Sequence, residues 1–215
     1  MTNREGETYW SRFARRYDRA EAYVVGDAIL EAITERLRKE INLGEVIELG
    51  CGTGHFTKVI ATNADHVMAT DLSGPMVETA RGELEEFTNV TVRKASAHKT
   101  PFPSGRFDTV LMANLVHVVK NPLACLQEGH RILKTGGVIL VVDFTDFGMP
   151  WARKFRMVFR YLSTFGLPPR HGQSNLSPRK LGLLITQAGF EIECAELIIA
   201  GTRAVYVKGK KTVTM

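Results

Sequence analysis

Glu48-Leu49-Gly50-Cys51-Gly52-Thr53-Gly54 decides how this chain is read. The apolar, β-branched run at residues 46–49 predicts a strand, and residues 56–64 follow it with a helical pattern. Glycines between a strand and a helix let the backbone turn tightly and approach a ligand that a Cβ would push away. The spacing here is GxGxG. A dinucleotide fingerprint would need glycine where His55 stands, and no GK[ST] follows, so the loop fits neither NAD or FAD binding nor a P-loop.

Outward from this loop, short apolar strands alternate with longer helical segments, the sign of a buried parallel sheet with helices on both faces. Strands are expected at residues 66–70, ending at Asp71, then at 90–92, 107–113, 138–144, 191–198 and 203–208. Ser73 is placed to cap a helix with Pro75 in its first turn, Pro122 opens another that closes at residues 134–137, and Ser177-Pro178 opens a third, stopped by Gly189. The expected fold is a Rossmann-like, doubly wound α/β domain with a seven-stranded sheet. Residues 1–42 are expected to form an N-terminal helical cover. Residues 147–176 are far longer than an ordinary connection of about 2–6 residues and are expected to insert a lid after the fifth strand, at the edge where open α/β sheets bind ligands.

The chain has 215 residues, 44% of them hydrophobic and 24% charged, an ordinary globular mixture suited to one domain. Its net charge of +5 permits an anionic partner without requiring one. Cys51, Cys125 and Cys194 show no CxxC or His/Cys ligand spacing, which argues against a disulfide framework or structural zinc and suits a reducing cytosol. Residues 1–19 lack the apolar core of a secretory signal, and no apolar run reaches the ~20 residues that span a bilayer. The expectation is a cytoplasmic protein, at most attached to a membrane surface.

Asp71, at the tip of the second strand, can accept hydrogen bonds from both hydroxyls of a ribose. Together with residues 46–54 (VIELGCGTG), 69–73 (ATDLS), 107–114 (FDTVLMAN) and 131–143 (RILKTGGVILVVD), it makes the chain resemble a class I S-adenosylmethionine-dependent methyltransferase. Within that class it is similar to the small-molecule branch that includes the ubiquinone/menaquinone biosynthesis methyltransferases. The resemblance implies S-adenosyl-L-methionine as cofactor and a small apolar or lipid-like acceptor. It implies that Glu48 and the loop Gly50, Cys51, Gly52 and Gly54 hold the methionine part and that Asp71 binds the ribose. Leu72 would pack on the adenine, Ser96 and Ala97 line its edge, and Asn114 lie under the methionine end. The family often carries an acid near position 96, whereas Lys94-Ala95-Ser96-Ala97 is neutral or basic. No metal is implied, because transfer from a sulfonium needs no Lewis acid and the sequence holds no ligand cluster.

Positioning would supply most of the catalysis, with a general base for a hydroxyl or ammonium acceptor. The candidates are His117, Tyr17, His171 and Asp143. Each has a plainer reading: His117 packed over a loop, Tyr17 on an aromatic helix face, His171 on the surface, Asp143 capping a turn. Cys51 reads as a small buried loop residue rather than a nucleophile. Trp151, Phe155, Val158, Phe159, Leu162 and Phe165 recur at helical spacing among Arg153, Lys154, Arg156 and Arg160. Such a helix closes its apolar face on the domain or lies on an anionic membrane. Two other functions remain open. A nucleic-acid methyltransferase is disfavoured by Asn114-Leu115-Val116-His117, which lacks an (N/D)PP(Y/F) motif. A catalytically silent cofactor-binding partner is disfavoured by the intact Glu48, Gly52, Asp71 and Asn114.

Overall fold

Alternation along each strand sends successive side chains to opposite faces, so a strand apolar at every position must be covered on both sides. In the computed structural model, which describes residues 9–167 and 175–212, seven strands form one sheet, its central members largely of this kind: β1 (Glu45–Leu49), β2 (His66–Asp71), β3 (Val90–Lys94), β4 (Phe107–Ala113), β5 (Leu133–Phe144), β6 (Phe190–Ala200) and β7 (Thr202–Lys211). Their order is β3-β2-β1-β4-β5-β7-β6. The first five are parallel, and β7 inserts antiparallel between β5 and β6. Ile47, Val110, Met112, Ile139, Val141, Val205 and Val207 feed one core. Their strand neighbours Val46, Leu111, Leu140, Val142, Ala204 and Tyr206 feed the other.

The helices divide accordingly. α1 (Tyr17–Val25), α2 (Asp27–Arg38) and α3 (His55–Ala61) put Val24, Ile29, Ile33 and Phe56 into the second core. α5 (Pro122–Ile132) and α7 (Pro178–Gln187) put Cys125, Leu126, Leu181 and Ile185 into the first. α4 (Gly74–Glu83) is capped by the Ser73 hydroxyl, which accepts from the Met76 amide, with Pro75 in its first turn. The Rossmann-like α/β expectation is met. Two boundaries differ. α3 stops at Ala61, three residues early, because the Asn63 side chain turns back to donate to the Arg38 and Glu40 carbonyls. Residues 134–137 belong to β5 rather than to a helix end, through an irregular pairing between Phe107 and Thr109.

α6 (Trp151–Phe165) forms inside the long insertion, as its periodicity predicts, but corrects the expectation that its apolar face closes on the domain. Of the six apolar residues read as that face only Phe165 is buried; Trp151, Phe155, Val158, Phe159 and Leu162 are exposed. The helix packs through a neighbouring seam, Met157, Tyr161 and Phe165.

α2 is pinned to the sheet by a polar knot. The buried Glu40 carboxylate accepts from Arg36 at 2.7 Å, the Tyr206 hydroxyl at 2.8 Å and the Lys208 ammonium at 2.8 Å. Burial raises the Glu40 pKa, but these donors outweigh it and hold the group below its ordinary value. Its stabilisation is therefore present above the pKa of the unfolded chain and lost as pH falls through the lower folded value. Glu40→Ala should cost about 2 kcal/mol, because it strands the buried Tyr206 hydroxyl and leaves Arg36 and Lys208 only their outer partners Glu196 and Glu193. Thermal unfolding at pH 7 should show a Tm lower by roughly 4–8 °C, with the gap closing at acid pH. A constant gap down to pH 3 would remove the ionic contribution.

Candidate functional site

β1 and β4 are neighbours although β2 and β3 intervene in the chain, and this reversal opens a crevice at their carboxyl ends. The loop from β1 into α3 forms its floor. Gly50 stands at φ +79°, and a Cβ there would come within 2.7 Å of Leu115, so only glycine fits. The Gly52 amide donates to Asp71 at 3.0 Å, and the second Asp71 oxygen accepts from the Ser73 amide at 2.8 Å. One carboxylate thus fixes the glycine loop and the turn after β2 together.

The crevice has a roof from the N-terminal segment. Thr53 donates to Asp18 at 2.5 Å, and the hydroxyls of Ser11 and Ser73 meet at 2.8 Å. Trp10 and Tyr17 line the pocket and pack edge-on or tilted against Phe165 of α6, with centroids 5.8 and 6.1 Å away. Tyr17 donates to the buried Glu21 at 3.0 Å.

The pocket so enclosed is lined by Glu48, Gly50, Cys51, Gly52, Asp71, Leu72, Ala97, Asn114 and Tyr17, nine of the residues expected from the sequence. Gly54, Ser96 and His117 do not line it. Gly54, at φ +91°, caps α3, and a Cβ there would strike Leu84. The Ser96 hydroxyl turns toward the His98 amide at 3.3 Å. His117 points its Nδ1 at the fully buried Asp143, whose other oxygen accepts from the Val116 amide at 3.0 Å. Of the two readings of Asp143, the structure shows the one that caps a turn: it is fully buried, outside the pocket lining, and holds the Val116 amide and His117. His171 lies outside the described residues. Sequence reasoning missed Trp10, Asp18, Glu21, His55 and His98, all in the lining. Tyr17, Asp18 and Glu21 sit on one helical face at i, i+1 and i+4, a polar stripe readable once that face is known to turn inward.

The electrostatics are strongly one-sided. Burial pushes the Glu48 carboxyl up to about 7, against the hydrogen bond donated by Thr57 at 2.5 Å and with the Asp71 charge adding to the rise. Burial also pushes Glu21 to about 7, opposed by its Tyr17 hydrogen bond and reinforced by Asp18. Burial lowers the pKa of His55, so it adds no positive charge at neutral pH. Buried carboxylates without a cation are unfavourable when ionised. Asn114 adds strain: it sits at φ +53° with a buried side-chain oxygen that has no hydrogen-bond partner, and His55 Nε2 is likewise buried and unpartnered. A cationic ligand rich in hydrogen-bonding groups answers all of these features. Among the described residues no group of three or more His, Cys, Asp or Glu is placed to hold a metal ion.

In fold and in the placing of its pocket the chain is similar to class I methyltransferase domains. Residues 47–141 match the family model of a methyltransferase domain. The chain is 33% identical over 118 residues to a demethylmenaquinone methyltransferase of Tropheryma whipplei, covering 55% of this chain and 49% of that one. It is 31% identical over 134 residues to a ubiquinone/menaquinone biosynthesis C-methyltransferase of Coxiella burnetii, covering 60% and 52%. The match spans about half the length of these relatives. Among solved structures, a S-adenosylmethionine-dependent methyltransferase of Thermotoga maritima, described as a possible histamine N-methyltransferase, superposes with a TM-score of 0.72 at 22% identity, covering 95% of this chain and 100% of that one.

The pocket fits S-adenosylmethionine, which brings an ammonium and a sulfonium to the acidic end. The raised Glu48 pKa means that the ligand-free fold loses stability as pH rises from the ordinary carboxyl value through about 7. Glu48→Gln should therefore raise the Tm of the ligand-free protein at pH 8 while weakening S-adenosylmethionine binding at least tenfold. Paired thermal scans and titrations check both; a lower Tm with unchanged affinity would make Glu48 a purely structural residue.

Proposed function

We propose that the protein transfers a methyl group from S-adenosylmethionine to a small apolar acceptor of quinone type, at a ring carbon. One observation carries the reading: the buried carboxylates Glu48 and Glu21 line the pocket, while Trp10, Tyr17, Leu115, Val118 and Val119 give it an apolar and aromatic side. Glu48, Asp71 and the loop amides are assigned to the cofactor, with Asn114 at its methionine end and Leu72 and Ala97 beside its adenine. Trp10, Tyr17, Leu115, Val118 and Val119 are assigned to the acceptor. The demethylmenaquinone methyltransferase relative supports a quinone-type acceptor, and the C-methyltransferase of Coxiella burnetii supports a carbon.

When bound, the cofactor supplies a methyl group on a sulfonium, an electrophile needing no further activation. The chain's own work is to exclude water, hold the acceptor in line behind that methyl group and take up a proton. Positioning of this kind contributes ~7–11 kcal/mol. A ring hydroxyl that loses its proton makes the adjacent carbon nucleophilic; after attack, the ring C–H proton leaves and aromaticity returns. His117 is the assigned proton acceptor: it stands outside the lining but interacts with Glu21 inside it, so the proton reaches it by way of the Glu21 carboxylate. Burial lowers its pKa, but Asp143 and the Glu21 charge outweigh this and raise it above the ordinary histidine value. Asp143 holds Nδ1, so Nε2 remains to receive the proton. Turnover should accordingly rise with pH through a value above 6.5 as His117 becomes neutral.

Incubation with isotopically labelled S-adenosylmethionine and reduced quinones lacking one ring methyl should give methylated product by mass spectrometry. His117→Gln should lower kcat about 100-fold or more and remove the low-pH limb, leaving cofactor affinity unchanged. Full activity of that variant would sink the base assignment, and methylation of phenols, amines or thiols but no quinone would sink the acceptor class.

A further inference from the structure

α6 presents a surface that its own fold leaves uncovered. At 100° per residue, Trp151, Phe155, Val158, Phe159 and Leu162 fall on an arc about 100° wide, and from first to last they advance about 16 Å along the axis. All five are exposed, with Trp151 83%, Phe155 69% and Phe159 63% accessible. A contiguous apolar stripe of this size on an otherwise ordinary surface marks an interaction site.

The charges beside the stripe select its partner. Arg156 flanks the arc beyond Phe159, and Lys154 lies on the Val158 side, at an angle between Phe165 and Tyr161 of the neighbouring seam. Arg153 and Arg160 stand behind, donating to the Gly201 and Tyr23 carbonyls at 3.1 Å each. Lys154 pairs with Asp146, which precedes the helix. α6 itself contains no acidic residue, and residues 147–190 carry seven Lys and Arg and no Asp or Glu. A protein partner of mixed charge would have no use for so complete an exclusion of acids. An anionic lipid surface accounts for it: apolar side chains enter the acyl boundary while long basic side chains reach the headgroups. No described helix is long and apolar enough to cross a membrane, so any attachment through α6 lies in the interface plane.

We propose that the outer face of α6 is a docking surface for an anionic lipid bilayer, with Trp151, Phe155 and Phe159 as its inserted anchors. This does not depend on the transferase reading. It does have a spatial consequence: Phe165, at the end of the same helix, packs against Trp10 and Tyr17 in the pocket roof. A docked α6 lies directly over that roof, at the apolar end of the pocket.

The test is co-sedimentation of the full chain with phosphatidylcholine vesicles, with and without phosphatidylglycerol, read together with tryptophan emission. Binding should require the anionic lipid and fall with added salt. Emission should shift to the blue, and Trp151→Phe should abolish that shift. Phe155→Ser/Phe159→Ser should reduce partitioning at least tenfold with an unchanged thermal unfolding curve, since both rings are exposed. Arg156→Glu should weaken binding to anionic vesicles. Failure to sediment with anionic vesicles, equal binding to neutral ones, or undiminished binding of the double serine variant would each overturn the proposal. So would a dimer by analytical ultracentrifugation that the double variant loses and vesicles do not dissociate, which would make a second copy the occupant.

Discussion

Two carboxylates, Glu48 and Glu21, are held out of water at the carboxyl edge of the sheet, and the arrangement around them follows from that burial. Glu48 is the single charged position in β1 with no exposure, between Ile47 and Leu49, which are themselves fully buried. Its neighbour across the loop is Thr57, whose hydroxyl satisfies one oxygen. Glu21 comes from a helix that precedes the sheet in the chain, so it reaches the same cavity only because α1 folds over the crevice. Each group alone would protonate near neutral pH. Both carry the cost of ionisation whenever a cation is absent, which makes the pocket a binding site before it is anything else.

The roof and floor are joined by small polar contacts as well as by the packing of Phe13, Ala20 and Val24 in the second core. Thr53 to Asp18, Ser11 to Ser73 and Asn114 to Glu21 tie residues far apart in sequence. Asp71 joins the two turns of the floor. The aromatic cluster of Trp10, Phe13, Tyr17 and Phe165 then couples the roof to α6.

The sheet was legible because its central strands are apolar at nearly every position, its edge strands alternate, and most turns carry glycine, proline or a capping serine. The glycine loop and Asp71 were legible for the same reason: their roles are local, set by backbone conformation and by distance from a strand end. Glu21, Asp18 and His98 were not, because their importance arises from helices and loops that meet the pocket only in three dimensions. Ser96 and Gly54, by contrast, stand outside the pocket lining. The resemblance placed them at the ligand, whereas Ser96 is drawn to the His98 amide and Gly54 is consumed by the start of α3. The α6 periodicity predicted a helix but misassigned its buried face, since Met157 and Tyr161 could fill the seam and leave the larger aromatics outside.

The account stands most directly on whether the buried carboxylates exist to meet a cation. Calorimetric titration with S-adenosylmethionine at pH 7, in two buffers of different ionisation enthalpy, measures the protons exchanged on binding. Glu21 and Glu48, each at about 7 in the free protein, should be driven to their ionised forms, so binding should release protons and tighten as pH rises toward 8. Binding without proton release would contradict this reading of the carboxylates, and binding of NAD in place of S-adenosylmethionine would contradict the site itself.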